Sequence, residues 1–498
     1  MPTGNEALVA SIQRATEPGF RGSLLARGQA RSLIWRDGVL PADAPAFSRL
    51  LSYDLLSYGY SLLGQGIRLI EGGGDADIAR SAFERSAEAI EAAVARGAGS
   101  EERDFHRLIA AAAYHLGRFS ARAYSLLVAA AEQRNLSIPE KCLSLLMLRD
   151  LDAIDGAIRQ WHVSGRGDDD VLVELVSASV TDEDQRFDDK EENSDAIFKA
   201  LDFALADHYL GGLAKALLAF ERGDGALLSE AILQLNVGLS GAADFHLVPQ
   251  WWCYRVTIHL LRGLWDTSFH QRIPMAPLNA QVAPNWGSYR RLFVAALHQR
   301  SRAEIEFWPS QLTAAADAIS TRRNLVVSLP TSAGKTRIAE LCILACLAEG
   351  KKAVFITPLR ALSAQTEAAL ERTFSPLGKS VSTLYGSIGL SEVDSDFFED
   401  RDIVVGTPEK LDFALRSDPS LLDNVGLIVL DEGHMIGLGE REIRYEVQIQ
   451  RLLSRSDAAS RRIICLSAVL PDGEQLADFT AWLSRDADDA LVRSEWRP

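Results

Sequence analysis

The sequence is short of the features that mark secreted, membrane-spanning and zinc-dependent proteins. It has five cysteines in 498 residues, and no pair of C-x-x-C motifs that would suggest a zinc site. The most apolar stretch, 108–131, is interrupted by Arg118 and Arg122, so no run has the length of a membrane span. The N-terminus lacks both a basic start and an apolar core, so no secretory signal is visible. We therefore expect a cytosolic protein with reduced cysteines packed in its core.

Positive charge is scarce as well, and common catalytic patterns are missing. The formal net charge is −16, so any attraction for nucleic acid must be local. The nine histidines lack metal-ligand spacing and no G-x-S-x-G motif occurs, which argues against a metalloenzyme and a serine hydrolase. Carboxylates crowd into 167–195. We interpret that stretch as a solvated excursion, with a docking tail for a basic partner as the alternative.

Residues 45–265 show the apolar spacing of helices, with apolar side chains recurring every three or four positions. Segments 114–127 and 219–235 have the small and aromatic placement of tetratricopeptide-like hairpins, but their spacing is irregular, so we predict a generic helical array. The aromatic residues of 251–254 and Trp265 form either part of the core or a stacking surface for bases. Their apolar helical surroundings favour the core.

A stretch with several prolines, 271–289, interrupts the helical pattern and marks a domain boundary. We expect an all-α helical array over 1–270, then a linker and connecting helix over 271–304, and a different domain over 305–498. The connecting helix is predicted to cover 289–307.

From about residue 324 the pattern changes to short apolar runs, rich in branched residues, that alternate with helices. The runs are 324–329, 352–357, 380–385, 402–406, 427–431 and 462–467. Strands that are apolar throughout and alternate with helices belong to a parallel sheet covered on both faces. Such sheets bind ligands at the carboxyl ends of their strands, and the motifs of this region follow those ends.

The stretch LPTSAGKT, 329–336, lies between an apolar run and an amphipathic helix, which is the context of a phosphate-binding loop. Small residues allow backbone N–H groups to approach a phosphate, Lys335 supplies a charge, and Thr336 supplies a hydroxyl for Mg²⁺. Leu329 stands where the usual pattern has glycine, so a plain turn of small residues is the alternative. The candidate nucleotide-binding residues of the loop are Thr331, Ser332, Ala333, Gly334, Lys335 and Thr336.

A second motif, LIVLDEGH at 427–434, ends a buried strand in two carboxylates. Such a pair is costly in a packed strand unless a cation lies nearby. Asp431 is therefore expected to hold a metal ion, usually through water, and Glu432 to polarise an attacking water. The alternative is a strand that merely ends in a polar turn, and the phosphate-binding loop upstream counts against it.

The region from about 305 to the end resembles the first RecA-like domain of superfamily 2 DExH-box helicases. It is nearest the branch that contains archaeal repair and RNA-exosome-associated enzymes. The matching stretches, in order, are FWPSQ (307–311), PTSAGKT (330–336), TPLRALSAQ (357–365), GTPEKLD (406–412), DEGH (431–434) and LSAVLP (466–471). The resemblance covers about two-fifths of the chain. It implies a RecA-like α/β domain that uses ATP with Mg²⁺ and acts on nucleic acid.

The resemblance also implies roles for individual residues. Gln311 matches the glutamine that reads the adenine edge, which favours ATP. His434, placed with the catalytic residues, and Ser467 match residues that couple the nucleotide site to strand movement. A fixed guanidinium and a helix N-terminus suit contact with phosphates irrespective of base sequence, although each residue alone is also compatible with an ordinary surface turn. The residues that match backbone-gripping positions are Arg360, Thr407 and Lys410.

The sequence departs from the family pattern in two short places and at its end. Val469 replaces the threonine of Ser-Ala-Thr, which removes one hydroxyl from the coupling motif, and Leu329 replaces a small residue. The resemblance implies a second RecA-like domain whose arginines complete the ATP site, and none of its motifs occurs after residue 467. We expect that domain to be supplied in cis or in trans. DNA and RNA are equally compatible with the motifs. The alternative function is an ATP-dependent switch or scaffold whose helical array binds a protein partner.

Overall fold

The structure is a computed structural model. It describes residues 4–34, 47–48, 50–94, 103–128, 136–165, 190–276, 283–320, 322–383, 400–433, 439–468 and 474–497. The chain forms two compact units. The helical unit comprises Met1–Leu264 with Ser301–Ala303, and the sheet unit comprises Trp265–Arg300 with Glu304–Pro498.

The described part of the helical unit is built almost entirely of helices. Its helices are α1 (Gly4–Thr16), α2 (Phe20–Ile34), α3 (Leu51–Glu71), α4 (Ala76–Val94), α5 (Arg103–Leu116), α6 (Ser120–Val128), α7 (Ile138–Leu148), α8 (Leu151–Gly165), α9 (Lys190–Arg222) and α10 (Gly225–Asp244). The division between the units falls within α11 (Val248–Thr267). Helices α3 and α4 pack at close range, since a Cβ on Gly66 would lie 2.7 Å from the ring of Phe83. Ser86 Oγ donates a hydrogen bond of 2.7 Å to the carbonyl of Gly59 across the same contact.

Burial bears on two sequence predictions. The core interpretation holds for Trp252, Cys253 and Tyr254, which are buried, whereas Trp251 and Trp265 are half-buried. The five cysteines are all buried and none forms a disulfide. Most of the acidic stretch 167–195 lies outside the described residues, and its last six positions form the start of α9.

Helix α10 is long and apolar enough to cross a membrane by length and composition alone, with a mean hydropathy of 1.2. One face of α10 packs against α9 and α11. Gln234 Nε2 donates to the carbonyl of His208 at 3.0 Å, and a Cβ on Gly238 would collide with the ring of Tyr254. Only 28% of its apolar window is buried, and Leu233 and Val237 are exposed. A single helix of this kind is weak support for a membrane span.

The sheet unit is a parallel sheet with helices on both faces. Its helices are α12 (Phe269–Arg272), α13 (Trp286–His298), α14 (Pro309–Ser320), α15 (Lys335–Ala348), α16 (Arg360–Phe374), α17 (Pro408–Ser417), α18 (Glu440–Leu453) and α19 (Glu474–Ser484). Its strands are β1 (Leu325–Ser328), β2 (Lys352–Ile356), β3 (Val381–Thr383), β4 (Ile403–Gly406), β5 (Val425–Leu430), β6 (Arg462–Ser467) and β7 (Leu491–Arg493). Short 3-10 turns cover Ser375–Leu377, Pro419–Leu422 and Ala458–Ser460.

The strand order is β3-β4-β2-β5-β6-β1-β7, and every pairing is parallel. All six predicted apolar runs contain strands, so the predicted fold class, a parallel α/β sheet preceded by a helical array, is confirmed. Alternate residues of β1 serve the two cores, since Leu325 and Val327 pack into one and Val326 into the other. This two-sided burial explains why the runs are apolar throughout.

The predicted connecting helix over 289–307 is too long. Helix α13 ends at His298, and the chain beyond it turns into an extended segment. There the N–H of Phe269 donates to the carbonyl of Ile305 at 3.0 Å, and the N–H of Phe307 donates to the carbonyl of Thr267 at 2.9 Å. These two bonds satisfy backbone groups across a gap of nearly forty residues, which helical periodicity does not reveal.

Candidate functional site

The topology of the sheet places the two candidate motifs on either side of one strand end. Strand β6 lies between β1, which leads into the phosphate-binding loop, and β5, which leads into the acidic motif. The N–H of Leu329 donates to the carbonyl of Ser467 at 3.0 Å, and the N–H of Gly433 donates to the carbonyl of Leu466 at 3.0 Å. Both motifs are therefore fixed by hydrogen bonds to the carboxyl end of β6.

The loop before α15 needs glycine at position 334 for two reasons. Gly334 has φ of 78° as the N-cap of α15, a left-handed conformation that favours glycine. A Cβ there would also lie 2.0 Å from Gln311 Nε2, so the backbone itself borders the glutamine. Ser332 is left-handed too, with φ of 66°. The loop curls before the first turn of α15, where unpaired N–H groups and the helix dipole favour an anion.

The phosphate-binding loop and the acidic motif meet through a direct ion pair. Lys335 Nζ lies 3.1 Å from Glu432 Oε1, with side chains that are 11% and 28% exposed. The N–H of Asp431 donates to the carbonyl of Ile356 at 2.9 Å, and the N–H of Glu432 donates to Asp431 Oδ1 at 3.0 Å. Thr336 is exposed at the second position of α15. A lysine, two carboxylates, a hydroxyl and a glycine cradle thus share one rim, a donor set that fits a phosphate chain with Mg²⁺.

Two buried, uncharged side chains, those of Cys465 and Tyr445, lie close to the acidic motif. A Cβ on Gly433 would lie 2.0 Å from Cys465 Sγ, so the chain after Glu432 rests directly on that thiol. Burial, together with the charges of Asp431 and Glu432, raises the pKa of Cys465 to about 12. Burial likewise raises the pKa of Tyr445 well above its ordinary value. The sequence offers no local signal for these contacts, because they join separate elements.

Gln311 is tied to the phosphate-binding loop through hydrogen bonds. It is 5% exposed, and its Nε2 donates to the carbonyl of Gly334 at 3.1 Å while its Oε1 accepts from the N–H of Trp308 at 2.9 Å. Ser310 Oγ donates to the carbonyl of Ala333 at 3.0 Å. A primary amide has two donors and two acceptor positions, so Gln311 keeps one of each for a further partner.

The residues matched to nucleic-acid contacts lie at two neighbouring helix starts. Strands β2 and β4 are paired, and α16 and α17 follow their carboxyl ends. Arg360 is the first residue of α16, although its side chain lies outside the described atoms. Thr407 is the buried N-cap of α17, and Lys410 is half-buried in its first turn. The structure therefore sets two helix N-termini side by side, a good arrangement for successive phosphates.

Arg441, which the sequence analysis did not single out, connects the first turn of α17 with the loop that precedes α16. Its Nε donates to Glu409 Oε1 at 2.6 Å, and its other nitrogen donates to the carbonyl of Pro358 at 2.5 Å. Burial opposes the charge of Glu409, but the hydrogen bond and charge of Arg441, together with hydrogen bonds from the backbone of Glu409 itself and from Thr407, outweigh it and lower the pKa of that carboxyl. The first turn of α18 thereby fixes both helix starts.

The two coupling residues differ in what the structure shows. Ser467 ends β6 and is fully buried between the two motifs. His434 lies outside the described residues, as does Val469.

Comparison with known proteins assigns the class of this site. The sequence profile of the DEAD/DEAH box helicase family matches residues 308–478, a stretch that contains Gln311, Lys335, Glu432 and Ser467. The chain thus contains a superfamily 2 helicase domain, built on the parallel sheet described above.

The chain is similar to the Hachiman protein HamB and to Hel308 helicases. The chain is 31% identical over 259 residues to the Hachiman protein HamB of Bacillus cereus, a match that covers 51% of this chain and 22% of HamB. It is 35% identical over 196 residues to the ATP-dependent DNA helicase Hel308 of Methanocella arvoryzae, covering 39% of this chain and 25% of that helicase. For Hel308 of Pyrococcus abyssi the identity is 36% over 200 residues, covering 40% and 26%. The chain thus spans about a quarter of the length of these curated relatives.

Among solved structures, the DUF1998 helicase MrfA bound to DNA matches with a TM-score of 0.34 and 21% identity. That match covers 41% of this chain and 29% of the MrfA chain.

Proposed function

We propose that the sheet unit is the first motor domain of an ATP-dependent nucleic-acid helicase or translocase. The observation that carries this proposal is the 3.1 Å contact between Lys335 Nζ and Glu432 Oε1. It sets a phosphate-binding loop and a paired carboxylate motif within reach of a single nucleotide. The match of 308–478 to the DEAD/DEAH box helicase family supports the same function.

In this proposal each residue of the rim has one task. The backbone N–H groups of 331–334 bind the phosphates at the start of α15. Lys335 exchanges its pairing with Glu432 for a phosphate oxygen, and Glu432 is thereby released to orient the attacking water. Thr336 and Asp431 would hold Mg²⁺, which when bound neutralises charge on the phosphates.

The neighbouring helix starts supply the nucleic-acid contacts. The chain carries a net charge of −16, so binding depends on local groups and not on a general field. Those groups are Arg360, Thr407 and Lys410, at the N-termini of α16 and α17. Such contacts grip the phosphate backbone and read neither base nor sugar. The Hel308 relatives carry the name of DNA helicases, which favours DNA over RNA for this chain.

Full hydrolysis in this proposal requires a second RecA-like domain, in cis or in trans. Arginine contacts to a transferring phosphoryl group are worth on the order of 10³–10⁵ in rate. The sheet unit by itself is therefore expected to bind ATP weakly and to hydrolyse it slowly. The five buried cysteines support a cytosolic location for the protein.

The test compares nucleotide binding in matched variants of the full chain. Lys335→Ala is expected to abolish Mg·ATP binding in a calorimetric titration, because it removes the charge that faces the phosphates. Glu432→Gln is expected to retain binding and to block turnover once a second motor domain is present. Lys141→Ala and Glu371→Gln, which alter exposed residues elsewhere, serve as controls and should behave as the unmodified chain.

Turnover should then be measured with single-stranded DNA, single-stranded RNA and duplexes. Stimulation of ATP turnover by single-stranded nucleic acid supports the helicase function. Comparison of DNA with RNA then identifies the nucleic acid on which the protein acts. Unchanged Mg·ATP affinity in Lys335→Ala would refute the proposed nucleotide site.

A second candidate function is an ATP-dependent switch or scaffold, and one feature of the helical unit favours it. A cavity of about 500 Å³ opens there, and the rings of Trp161 and Phe203 stack beside it with centroids 4.8 Å apart. Burial raises the pKa of Asp202 in its wall. A protein partner that inserts a side chain into this cavity is the occupant that this function requires. ATP turnover without any strand displacement or translocation would favour the switch.

A further inference from the structure

The cavity of about 500 Å³ in the helical unit has a lining that the nucleotide site does not explain. Its volume lies within the range of about 300–1,000 Å³ that is typical of ligand pockets. Its walls come from the start of α7, from α8, from the middle of α9 and from the first turns of α11. All of these lining residues belong to the helical unit, so the cavity is separate from the motifs of the sheet unit.

The buried part of the cavity wall is aromatic, and its hydroxyl groups are already bonded. Tyr209 and Tyr254 lie there with ring centroids 5.3 Å apart. The hydroxyl of Tyr209 shares a 2.7 Å hydrogen bond with Thr257 Oγ1, and that of Tyr254 donates to the carbonyl of Leu205 at 2.6 Å. This part of the wall therefore offers ring surface to a ligand, with its phenol groups committed to the protein.

Two half-buried rings, those of Trp161 and Phe203, add a flat aromatic surface to the same cavity. Their planes are inclined by only 29°, so they stack nearly face to face. Trp161 Nε1 donates to Asp207 Oδ1 at 3.0 Å, which fixes the orientation of the indole. The face of an indole attracts cations through its ring electrons, and a planar cation can also stack on it.

The charged side chains of the cavity are all carboxylates. Asp202 and Glu140 line it, whereas its described lining residues include no lysine, arginine or histidine. Asp202 Oδ1 accepts from Gln250 Nε2 at 2.7 Å, which leaves the second carboxylate oxygen for a further donor. Burial raises the pKa of Asp202 although this hydrogen bond opposes the shift. Gln250 Oε1 is shielded from solvent and accepts from no residue that the structure describes. A ligand that satisfies these groups must bring donors and positive charge.

The start of α7 does not make the cavity a site for anions, because a capping box closes it. The N–H of Ser137 donates to Glu140 Oε2 at 2.8 Å, and the N–H of Glu140 donates to Ser137 Oγ at 3.5 Å. The carboxylate of Glu140 thereby already balances the positive end of the helix. Its other oxygen remains for a cation in the cavity.

We propose that this cavity binds an arginine side chain of a partner protein, with the guanidinium on the face of Trp161 and its donors directed to Asp202 and Glu140. Arginine fits better than lysine because its planar fork both stacks on a ring and pairs with carboxylates. The formal net charge of −16 favours a basic partner over an acidic one. This inference builds on the second candidate function, whose partner it describes chemically, and it is independent of the nucleotide site.

The experiment separates the charge of the ligand from its shape. The probe is the peptide acetyl-Gly-Arg-Gly-amide, and its control has citrulline in place of arginine, which keeps the shape but carries no charge. Both are titrated into the full chain and followed by saturation-transfer NMR of the peptide. The arginine peptide should bind at least about tenfold more tightly than the citrulline peptide, and a lysine peptide should fall between them. Agmatine has the same guanidinium without peptide groups. Binding of agmatine more than about tenfold tighter than the arginine peptide would assign the cavity to a small molecule and overturn the protein partner.

Variants of the cavity then test the individual contacts. Asp202→Asn removes a charge but keeps an oxygen for Gln250, so it should weaken the arginine peptide by roughly 2- to 5-fold and leave the citrulline peptide unchanged. Trp161→Ala should weaken the arginine peptide by on the order of 2- to 30-fold. Trp161→Phe, which keeps an aromatic face, should retain most of the affinity and guards against misfolding as an explanation. Asp244→Asn, at the exposed end of α10, is the matched control and should behave as the unmodified chain.

Equal affinities of the arginine and citrulline peptides for the unmodified chain would overturn the inference, as would unchanged arginine affinity in both Asp202→Asn and Trp161→Ala. The Mg·ATP affinity of these two variants should equal that of the unmodified chain, because both residues belong to the helical unit. Failure of the peptide site would therefore leave the nucleotide function standing. Strand displacement by the motor would refute the switch function without touching the peptide site.

Discussion

The contact between Gly433 and Cys465 allows a test of the acidic motif that needs no ligand. Gly433 is outside the left-handed region, so alanine suits its backbone, and the neighbouring thiol is the only described obstacle within 3.4 Å. A new Cβ would lie 2.0 Å from Cys465 Sγ, whereas ordinary contact begins at 3.4 Å. Either the Sγ atom of Cys465 or one of the two backbone segments must therefore move by more than an ångström.

Neither the segment around Gly433 nor strand β6 can move easily. Cys465 is fully buried in β6, where it pairs with Val326 of β1 on one side and with Leu430 of β5 on the other. Overpacking of this kind costs about 1–3 kcal/mol. We expect Gly433→Ala to lower the stability of β5 and β6 by that amount and to displace Glu432, the residue before it.

Removal of the thiol should remove the penalty. In a Cys465→Ala background the nearest remaining atom of residue 465 is its Cβ, which lies 3.5 Å from the new methyl group. Gly433→Ala should then cost close to nothing, so the double-mutant cycle should give a coupling of about 1–3 kcal/mol.

The assay is a urea titration of the full chain in which hydrogen exchange is read from peptides of β5 and β6. A local readout is needed because two units need not unfold together. Additive losses in the double variant, or an unchanged midpoint in Gly433→Ala, would refute the steric argument.

Two further predictions concern charged residues of the sheet unit. Arg337 is buried against Glu340, which is 3% exposed, so Arg337→Met should lower the free energy of unfolding by about 3–5 kcal/mol because it leaves a buried carboxylate without its partner. Adding Glu340→Gln should restore much of that loss. Hydrogen exchange of α15 peptides in urea measures both variants, and an equal loss in the double variant would contradict the prediction. Burial opposes the charge of Asp402, but donors from Lys379 and Ser380 outweigh it and lower its pKa, so the stability that it adds is complete above about pH 5 and is lost as pH falls through its folded pKa. Urea midpoints of β3 and β4 at pH 6 and pH 3.5 should therefore differ less in Asp402→Asn than in the unmodified chain, and equal differences would rule this out.

The strands that lead into the motifs could be predicted because their own residues show that they are buried. β1 and β5 are apolar throughout, and each ends in residues whose chemistry is rare in a packed strand. β7 cannot be predicted from the sequence, for the opposite reason. It is three residues long, with only its middle residue buried, and it lies in a charged segment. Pairing with β1, and not local pattern, makes it a strand.

The residues of the candidate site also fall into two groups, those that the sequence can identify and those that it cannot. Lys335 and Glu432 were identified from their motifs, although 97 positions separate them along the chain. Arg441 and Cys465 act through partners on other elements, and nothing in their own neighbourhoods sets them apart from surface or core residues. A single sequence therefore identifies groups that carry chemistry, whereas the groups that position them emerge only from the folded sheet.

The order of strands in the sheet has a consequence for synthesis. The described neighbours of β1 are β6 and β7, and 134 positions separate Ser328 from Arg462. At about 5–20 residues per second, a ribosome takes roughly 7–27 s to make that interval. During this time β1, the apolar strand that precedes the phosphate-binding loop, has no described partner strand on the nascent chain. It is therefore the segment of the domain most in need of a chaperone.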